Sequence, residues 1–370
     1  LCAQLWQGIF RVAAPQNRGP QGVENLTTAI AAKTKTRSAD RRTHVQGALD
    51  RLTALVAADL DAVNATITGY MQSDVPMIPQ LAGYLIEAGG KRIRPMLTLA
   101  TARLCNYAGA GHVKLATAVE FIHTASLLHD DVVDNSSLRR GKAAANIIFG
   151  NQASVLVGDY LFSRSFRLMV ETGSLATLDI LANAAAVITE GEVLQLTAAK
   201  NIATSEETYM KVIAAKTAAL FAAAAEVGGV IAGRPARDSQ ALHIYGRELG
   251  IAFQLIDDAL DYGSLHDKFG KSVGDDFREG KVTLPVILAH QAGDTAERAF
   301  WTRVIADGKQ HEGDLEEAIR ILARHGAVAR TLERAHDHAE AAKAALSIFP
   351  ASPLREALCD VADFCVDRAY

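Results

Sequence analysis

From about His44 to the C-terminus, apolar residues return every three or four positions, the period of a helix with one buried face. The stretch "VQGALDRLTALVAADLDAVNATITGYM" repeats them in this way and predicts an amphipathic helix. "GGKRIRPMLTLATARLCNYAG" starts with a Gly-Gly break and a proline near its first turn, then runs apolar to Gly109. "TSEETYMKVIAAKTAALFAAAAE" opens with Thr204 and Glu207 at capping-box spacing. "DLEEAIRILARHGAVARTLERAHDHAEAAKAAL" predicts two helices broken near Gly326, and "SPLREALCDVADFCVDRAY" predicts a last one. No stretch alternates convincingly with the two-residue period of a half-buried strand, and no low-complexity linker divides the body. The fold class is therefore all-α, in one large domain over residues 44–370.

Composition sharpens this picture. The chain has 370 residues, long enough for a large core. Its hydrophobic share is 49% but its aromatic share only 6%, an Ala- and Leu-rich bias that favours helix over strand. A net charge of -4 gives no general attraction to nucleic acid or an anionic membrane, so any basic patch must be local. Cys2, Cys105, Cys359 and Cys365 lack C-x-x-C spacing, which points to a reduced, cytoplasmic protein without structural zinc. The most apolar run, Thr217–Gly233, carries Glu226 and a Gly pair and reads as a buried core helix. Residues 1–43 differ: they start with Leu, scatter their apolar residues and hold many basic groups but few acids. They are read as a disordered or misassigned leader, with an organelle transit peptide as the alternative.

One internal echo carries chemistry. "FIHTASLLHDDVVDNS" and "LGIAFQLIDDALDYG" share a layout of apolar helix, Asp-Asp, two residues and Asp. At these spacings Asp130, Asp131 and Asp134 project from neighbouring positions on one side of a helix, and Asp257, Asp258 and Asp261 repeat the geometry. Such crowding among apolar neighbours calls for divalent cations, and all-oxygen ligands favour Mg²⁺. Because Mg²⁺ shares its sites with substrate phosphates, basic residues should accompany the acids. Arg139 and Arg140 follow the first motif. Lys91, Arg92 and Arg94 crowd a helix start, where backbone N–H groups favour phosphate. Lys216 stands in an apolar helix beside Thr217, and Lys271 and Lys281 flank "SVGDDFREG". Together these describe two phosphate sites, one metal-bridged and one bound directly by cations.

The motifs "GGKRIRP", "HTASLLHDDVVDNSSLRRG", "GEVLQL", "KTAALF", "FQLIDDALDYG" and "GKSVGDDFREGKVTLP" resemble those of the trans-isoprenyl diphosphate synthases, more closely the long-chain octaprenyl or decaprenyl type. The resemblance covers about residue 45 to the C-terminus. It implies the isoprenoid synthase fold, a bundle of antiparallel helices around a central cavity. It also implies an enzyme that joins an allylic diphosphate to successive isopentenyl diphosphates, releasing pyrophosphate each time, to build a precursor for a quinone side chain. On the family's pattern Asp130, Asp134 and Asp257 bind metal, three Mg²⁺ per site, with Asp258 and Asp261 completing the cluster. Asp131 and Lys216 are counted among the catalytic residues. Arg139, Lys216, Thr217, Gln254, Lys271 and Lys281 would hold the allylic diphosphate. Lys91, Arg94, His123 and Arg140 would hold isopentenyl diphosphate without metal.

Ala125 and Ser126, one turn before Asp130, are small; in the resembled family a bulky aromatic there shortens the product. The expected product is therefore long, about C40–C50, and spans at least the length of a 20-residue helix. A homodimer is implied by the family, with no nucleic-acid partner and at most peripheral membrane contact for product release. Phe121 and Phe253 are read as core packing, or as shelter for a cation. Three other readings compete. His129-Asp130 suits an HD-type phosphohydrolase but leaves the second motif without work. Glu120 and His123 form one di-iron E-x-x-H, without a well-placed second. A silent regulatory subunit would be expected to lose aspartates, and both motifs are complete.

Overall fold

The helical period of the sequence appears as helices along the body of the chain. The computed structural model describes residues 47–87, 90–139, 141–263 and 274–367. The leader over residues 1–43, Arg140 and Lys271 lie outside the described residues. After helical residues 47–55 come α1 (Ala57–Tyr70), α2 (Met77–Glu87), α3 (Ile93–Leu104) and α4 (Gly111–Val133). A hairpin of β1 (Leu138–Arg139) and β2 (Lys142–Ala143) leads to α5 (Ala145–Phe149), α6 (Asn151–Val170) and α7 (Leu175–Ala198). α8 (Glu206–Ile231) contains a π-helical turn at Ala214–Ala218, and α9 is Ala236–Leu260. α10 (Asp275–Glu279), α11 (Leu284–Ala292), α12 (Thr295–Trp301), α13 (Asp314–Arg324), α14 (Ala327–Ala345) and α15 (Pro353–Asp367) follow. Val45–Tyr370 forms one compact unit.

The fold is an all-α bundle, as the periodicity predicts. Its hub is α8, on which α3, α4, α7 and α9 pack. A helix apolar on every side has to lie in the interior, and Leu220–Ala225 and Val227 are each at most 3% exposed. α8 is long and apolar enough to cross a membrane, but its apolar window is 72% buried inside the body. It is a core helix, as its Glu226 and Gly pair suggested.

Three local expectations change. The first long amphipathic stretch is interrupted at Val56, whose backbone (φ -118°, ψ 14°) leaves helical geometry. The buried stripe of Leu52, Val56, Val63 and Ile67 continues across the break, so the apolar pattern could not reveal it. The capping box expected from Thr204 and Glu207 does not form. Ser205 is the N-cap, accepting the backbone N–H of Thr208, while Glu207 pairs with Lys211 on the exposed face. A capping box is present instead at Asp294 and Glu297. The hairpin is antiparallel, with Leu138 opposite Ala143 and Arg139 opposite Lys142. Strands this short show no alternation to read.

Gly246 of α9 lies against the backbone of α8, where a Cβ would come within 2.3 Å of the Phe221 carbonyl oxygen. Gly246→Ala should therefore force the two helices apart and destabilise the protein by about 1–3 kcal/mol. The readout is a lowered thermal midpoint; an unchanged one would show that this contact yields without cost.

Candidate active site

The first acidic motif ends α4. Asp130 stands in the last turn and Asp134 is the C-cap. Asp130 Oδ2 lies 3.9 Å from Lys216 Nζ, which also contacts Glu192 Oε2 at 2.8 Å. Burial raises the Asp130 carboxyl to about 6; Lys216 opposes that rise, while Glu192 and Asp134 add to it. Asp131 is turned elsewhere. It is 1% exposed and accepts from Arg139 Nε at 2.7 Å and Nη2 at 2.6 Å. Its carbonyl takes the Asn146 amide, and Tyr84 donates to the carbonyl of Ala143. Asp131 thus ties the hairpin carrying Arg139 to the end of α4.

Lys216 and Thr217 sit in the π-helical turn of α8. Such a turn widens the helix and needs space beside it, which Gly191 of α7 supplies. A Cβ at Gly191 would lie 2.7 Å from Ala215 Cβ and 2.9 Å from the Lys216 nitrogen. The next residue is Glu192, the partner of Lys216. The "GEVLQL" motif therefore both admits the π turn and orients its lysine.

The second motif ends α9. Asp258 is 4% exposed; its Oδ2 accepts from the Tyr209 hydroxyl at 2.5 Å and its Oδ1 from Gln254 Nε2 at 2.7 Å. Burial, with the charge of Asp276 adding to it, pushes the Asp258 carboxyl up. Asp257 is half-buried beside it. The Asp261 carboxylate accepts the backbone N–H groups of Asp275 at 3.2 Å and Asp276 at 3.0 Å, at the start of α10. This brings α10 and Lys281 back to the end of α9. Burial also raises Asp276, and Lys281 Nζ lies 2.5 Å from Glu279 and 3.8 Å from Asp276.

Both motifs open on one cavity of about 340 Å³, with Asp134, Lys216, Gln254, Asp258, Asp276 and Lys281 in its wall. The wall holds four carboxylates (Asp134, Asp258, Asp276, Glu279) against two ammonium groups (Lys216, Lys281). Oxygen donors with that charge deficit, from the buried Asp258 to the exposed Asp134 and Glu279, fit a hard divalent cation that keeps some of its water. Among the described residues no three His, Cys, Asp or Glu side chains converge closely enough to hold one alone.

The other predicted residues fall into two groups. Arg94 Nη1 lies 3.1 Å from His123 Nε2, and its guanidinium stacks 4.4 Å from the centre of the Phe221 ring. Lys91 lies over Phe364 at 4.9 Å. Ala125 is 2% exposed, and Ser126, half-buried, donates to the His123 carbonyl. Phe121 is core, while Phe253 meets Phe221 at 5.7 Å. Glu120 pairs with Arg92, away from any di-iron arrangement with His123. The His129 ring is engaged by the Val155 carbonyl and Asp159. Sequence reasoning missed Glu192, Tyr209 and Asp276. Glu192 and Asp276 lie inside motifs already singled out, and Tyr209 stands seven residues before Lys216.

The polyprenyl synthetase family profile matches residues 75–322. The chain is 47% identical over 320 residues to octaprenyl diphosphate synthase of Escherichia coli K12, covering 86% of this chain and 99% of that protein. Among solved structures, a decaprenyl diphosphate synthase from Rhodobacter capsulatus superposes with a TM-score of 0.84 at 56% identity, covering 87% of this chain and 99% of that one. A polyprenyl synthase from Caulobacter crescentus CB15, complexed with calcium and isoprenyl diphosphate, gives 0.84 at 54% identity, covering 87% and 98%.

The raised Asp130 pKa makes stability depend on pH in a defined direction. Between the unfolded value of 3.8 and the folded value of about 6, the folded metal-free protein keeps a proton that the unfolded chain releases. Stability is therefore lost as pH rises through this window. Asp130→Asn should remove a penalty on the order of 2–3 kcal/mol above pH 6 and none at pH 4. Chelator-treated melts should show the variant's advantage growing from pH 4 to about 6. Mg²⁺ should narrow that advantage; a pH-independent gap would refute the assignment.

Proposed function

Since the chain belongs to the polyprenyl synthetase family, we propose that its acid-lined cavity joins an allylic diphosphate to successive isopentenyl diphosphates and releases pyrophosphate at each addition. The protein is an active, chain-elongating trans-prenyltransferase that makes a long-chain polyprenyl diphosphate. One observation carries the site assignment: both aspartate motifs and Lys216 border the same cavity.

Polyprenyl synthases depend on Mg²⁺. In the proposed site Asp130, Asp134 and Asp257 hold the metal, three ions when substrate is bound. The calcium and isoprenyl diphosphate of the Caulobacter protein support a site of this kind. Bound Mg²⁺ supplies positive charge to the leaving diphosphate. Lys216, Lys281, Gln254 and Thr217 grip that diphosphate, joined by Arg139 on its hairpin and by Lys271. As the allylic C–O bond breaks, its electron pair passes to the diphosphate, where these fixed donors stabilise the added charge. Glu192 and Asp130 keep the Lys216 ammonium aimed before substrate arrives. Lys91, Arg94 and His123, with Arg140, hold isopentenyl diphosphate so that its double bond attacks the allylic carbon. The proton then lost goes to the departing pyrophosphate.

Ala125 and Ser126, small residues one turn before Asp130, are the proposed limit on the growing chain. A second copy of the chain is the proposed partner. Leu156 is 67% and Ile147 59% exposed, and Val155, Phe166 and Val170 extend the apolar face along α6. Light scattering at about twice the 39.5 kDa chain mass is the expected result, and a monomer at assay concentration would sink the homodimer. The enzyme is taken to be cytoplasmic, in keeping with the free thiols of Cys105, Cys359 and Cys365.

Purified protein given labelled isopentenyl diphosphate, an allylic primer and Mg²⁺ should yield a long prenyl diphosphate, resolved by chromatography. No product would overturn the reading. Ala125→Tyr should shift the products to short chains, and an unchanged length distribution would refute the role given to Ala125.

A further inference from the structure

Tyr209 has no part in the reading above, yet its side chain lies in the cavity wall and is only 5% exposed. Its hydroxyl donates to Asp258 Oδ2 at 2.5 Å, and Gln254 Nε2 donates to Oδ1 at 2.7 Å. The Gln254 carbonyl accepts from the Thr217 hydroxyl at 2.8 Å. The chain Tyr209–Asp258–Gln254–Thr217 crosses twice between α8 and α9.

A glutamine amide has two ends of opposite hydrogen-bonding sense, and both Asp258 oxygens act as acceptors here, one from Tyr209 and one from Gln254. Asp258 therefore turns the Gln254 nitrogen toward itself and leaves the oxygen for Thr217. The same nitrogen carries a second hydrogen for a substrate oxygen. Were Asp258 to rotate, that preference would be lost. The phenol prevents the rotation by holding the other carboxylate oxygen. The phenol O–H is the donor in that bond.

We infer that Tyr209 is a positioning residue for prenyl transfer, anchoring Asp258 so that the Gln254 amide presents its N–H to the allylic diphosphate. This rests on the reading that the cavity binds that diphosphate. Asp258 then works through Gln254.

Tyr209→Phe removes one oxygen and keeps the ring. With farnesyl diphosphate, isopentenyl diphosphate and Mg²⁺, it should lower kcat/KM for the allylic substrate about 10–100-fold, the usual cost of losing an orienting partner. In a Gln254→Ala background the same change should cost less than about threefold, because the relay is already cut. Losses that multiply, or a single variant within about twofold of wild type, would overturn the inference, leaving the phenol a packing group. If Tyr209→Phe lacks a cooperative melt, Asp258→Asn takes its place in the same cycle with the same expected outcomes. A wild-type protein that forms no product would sink the functional reading itself. An active wild type with multiplying losses would sink only the relay.

Discussion

Carboxylates crowded into an apolar hollow repel one another and resist losing water. The rest of the active-site structure answers that constraint. Asp131 is neutralised by Arg139, Asp261 caps α10, and Asp258 is held by Tyr209 and Gln254. Asp130 shares Lys216 with Glu192, and Asp276 lies near Lys281. After these pairings the wall still carries more carboxylates than ammonium groups. That remaining deficit is what divalent cations would fill, bringing a diphosphate in with them. The raised carboxyls of Asp130, Asp258 and Asp276 have the same origin.

Backbone geometry makes the arrangement possible. The N-terminal turns of α8 keep Lys211 on an exposed face, but from Thr217 onward the helix is core, and Lys216 at that boundary turns into the cavity. The π turn at Ala214–Ala218 places Lys216 and Thr217 there, and Gly191 gives that turn room. The C-terminal ends of α4 and α9 supply the acids, while Asp261 folds the start of α10 back beside them. One turn before Asp130 on α4, Ala125 is small and buried.

Much of this was legible residue by residue. The three- and four-residue period named the helices, because burial of one face leaves its mark at every turn. The doubled Asp-Asp-x-x-Asp layout named the cavity, because no ordinary helix face repeats that charge among Leu and Val. Thr204 against Ser205 was not legible. Both are good caps; Ser205 takes the role with its hydroxyl on the Thr208 N–H, while Thr204 is buried. Glu192 and Tyr209 were missed since each finds its partner on another helix, at separations of 24 and 49 residues.

The sequence by itself determined the helical class, the inventory of acids and bases, and the kind of ligand they suit, because these follow from local period and residue chemistry. Spacing alone made the six motif aspartates two like triplets, and the family resemblance singled out Asp130, Asp134 and Asp257 as metal ligands. Only the tertiary structure showed their partners, turning Asp131 to the hairpin and Asp261 to α10 while Asp134 and Asp258 border the cavity. The physical reason is that a carboxylate's role is set by whichever donor comes within about 3 Å of it. In this bundle those donors arrive from the hairpin, from α8 and from α10, at distances along the chain that no local pattern records.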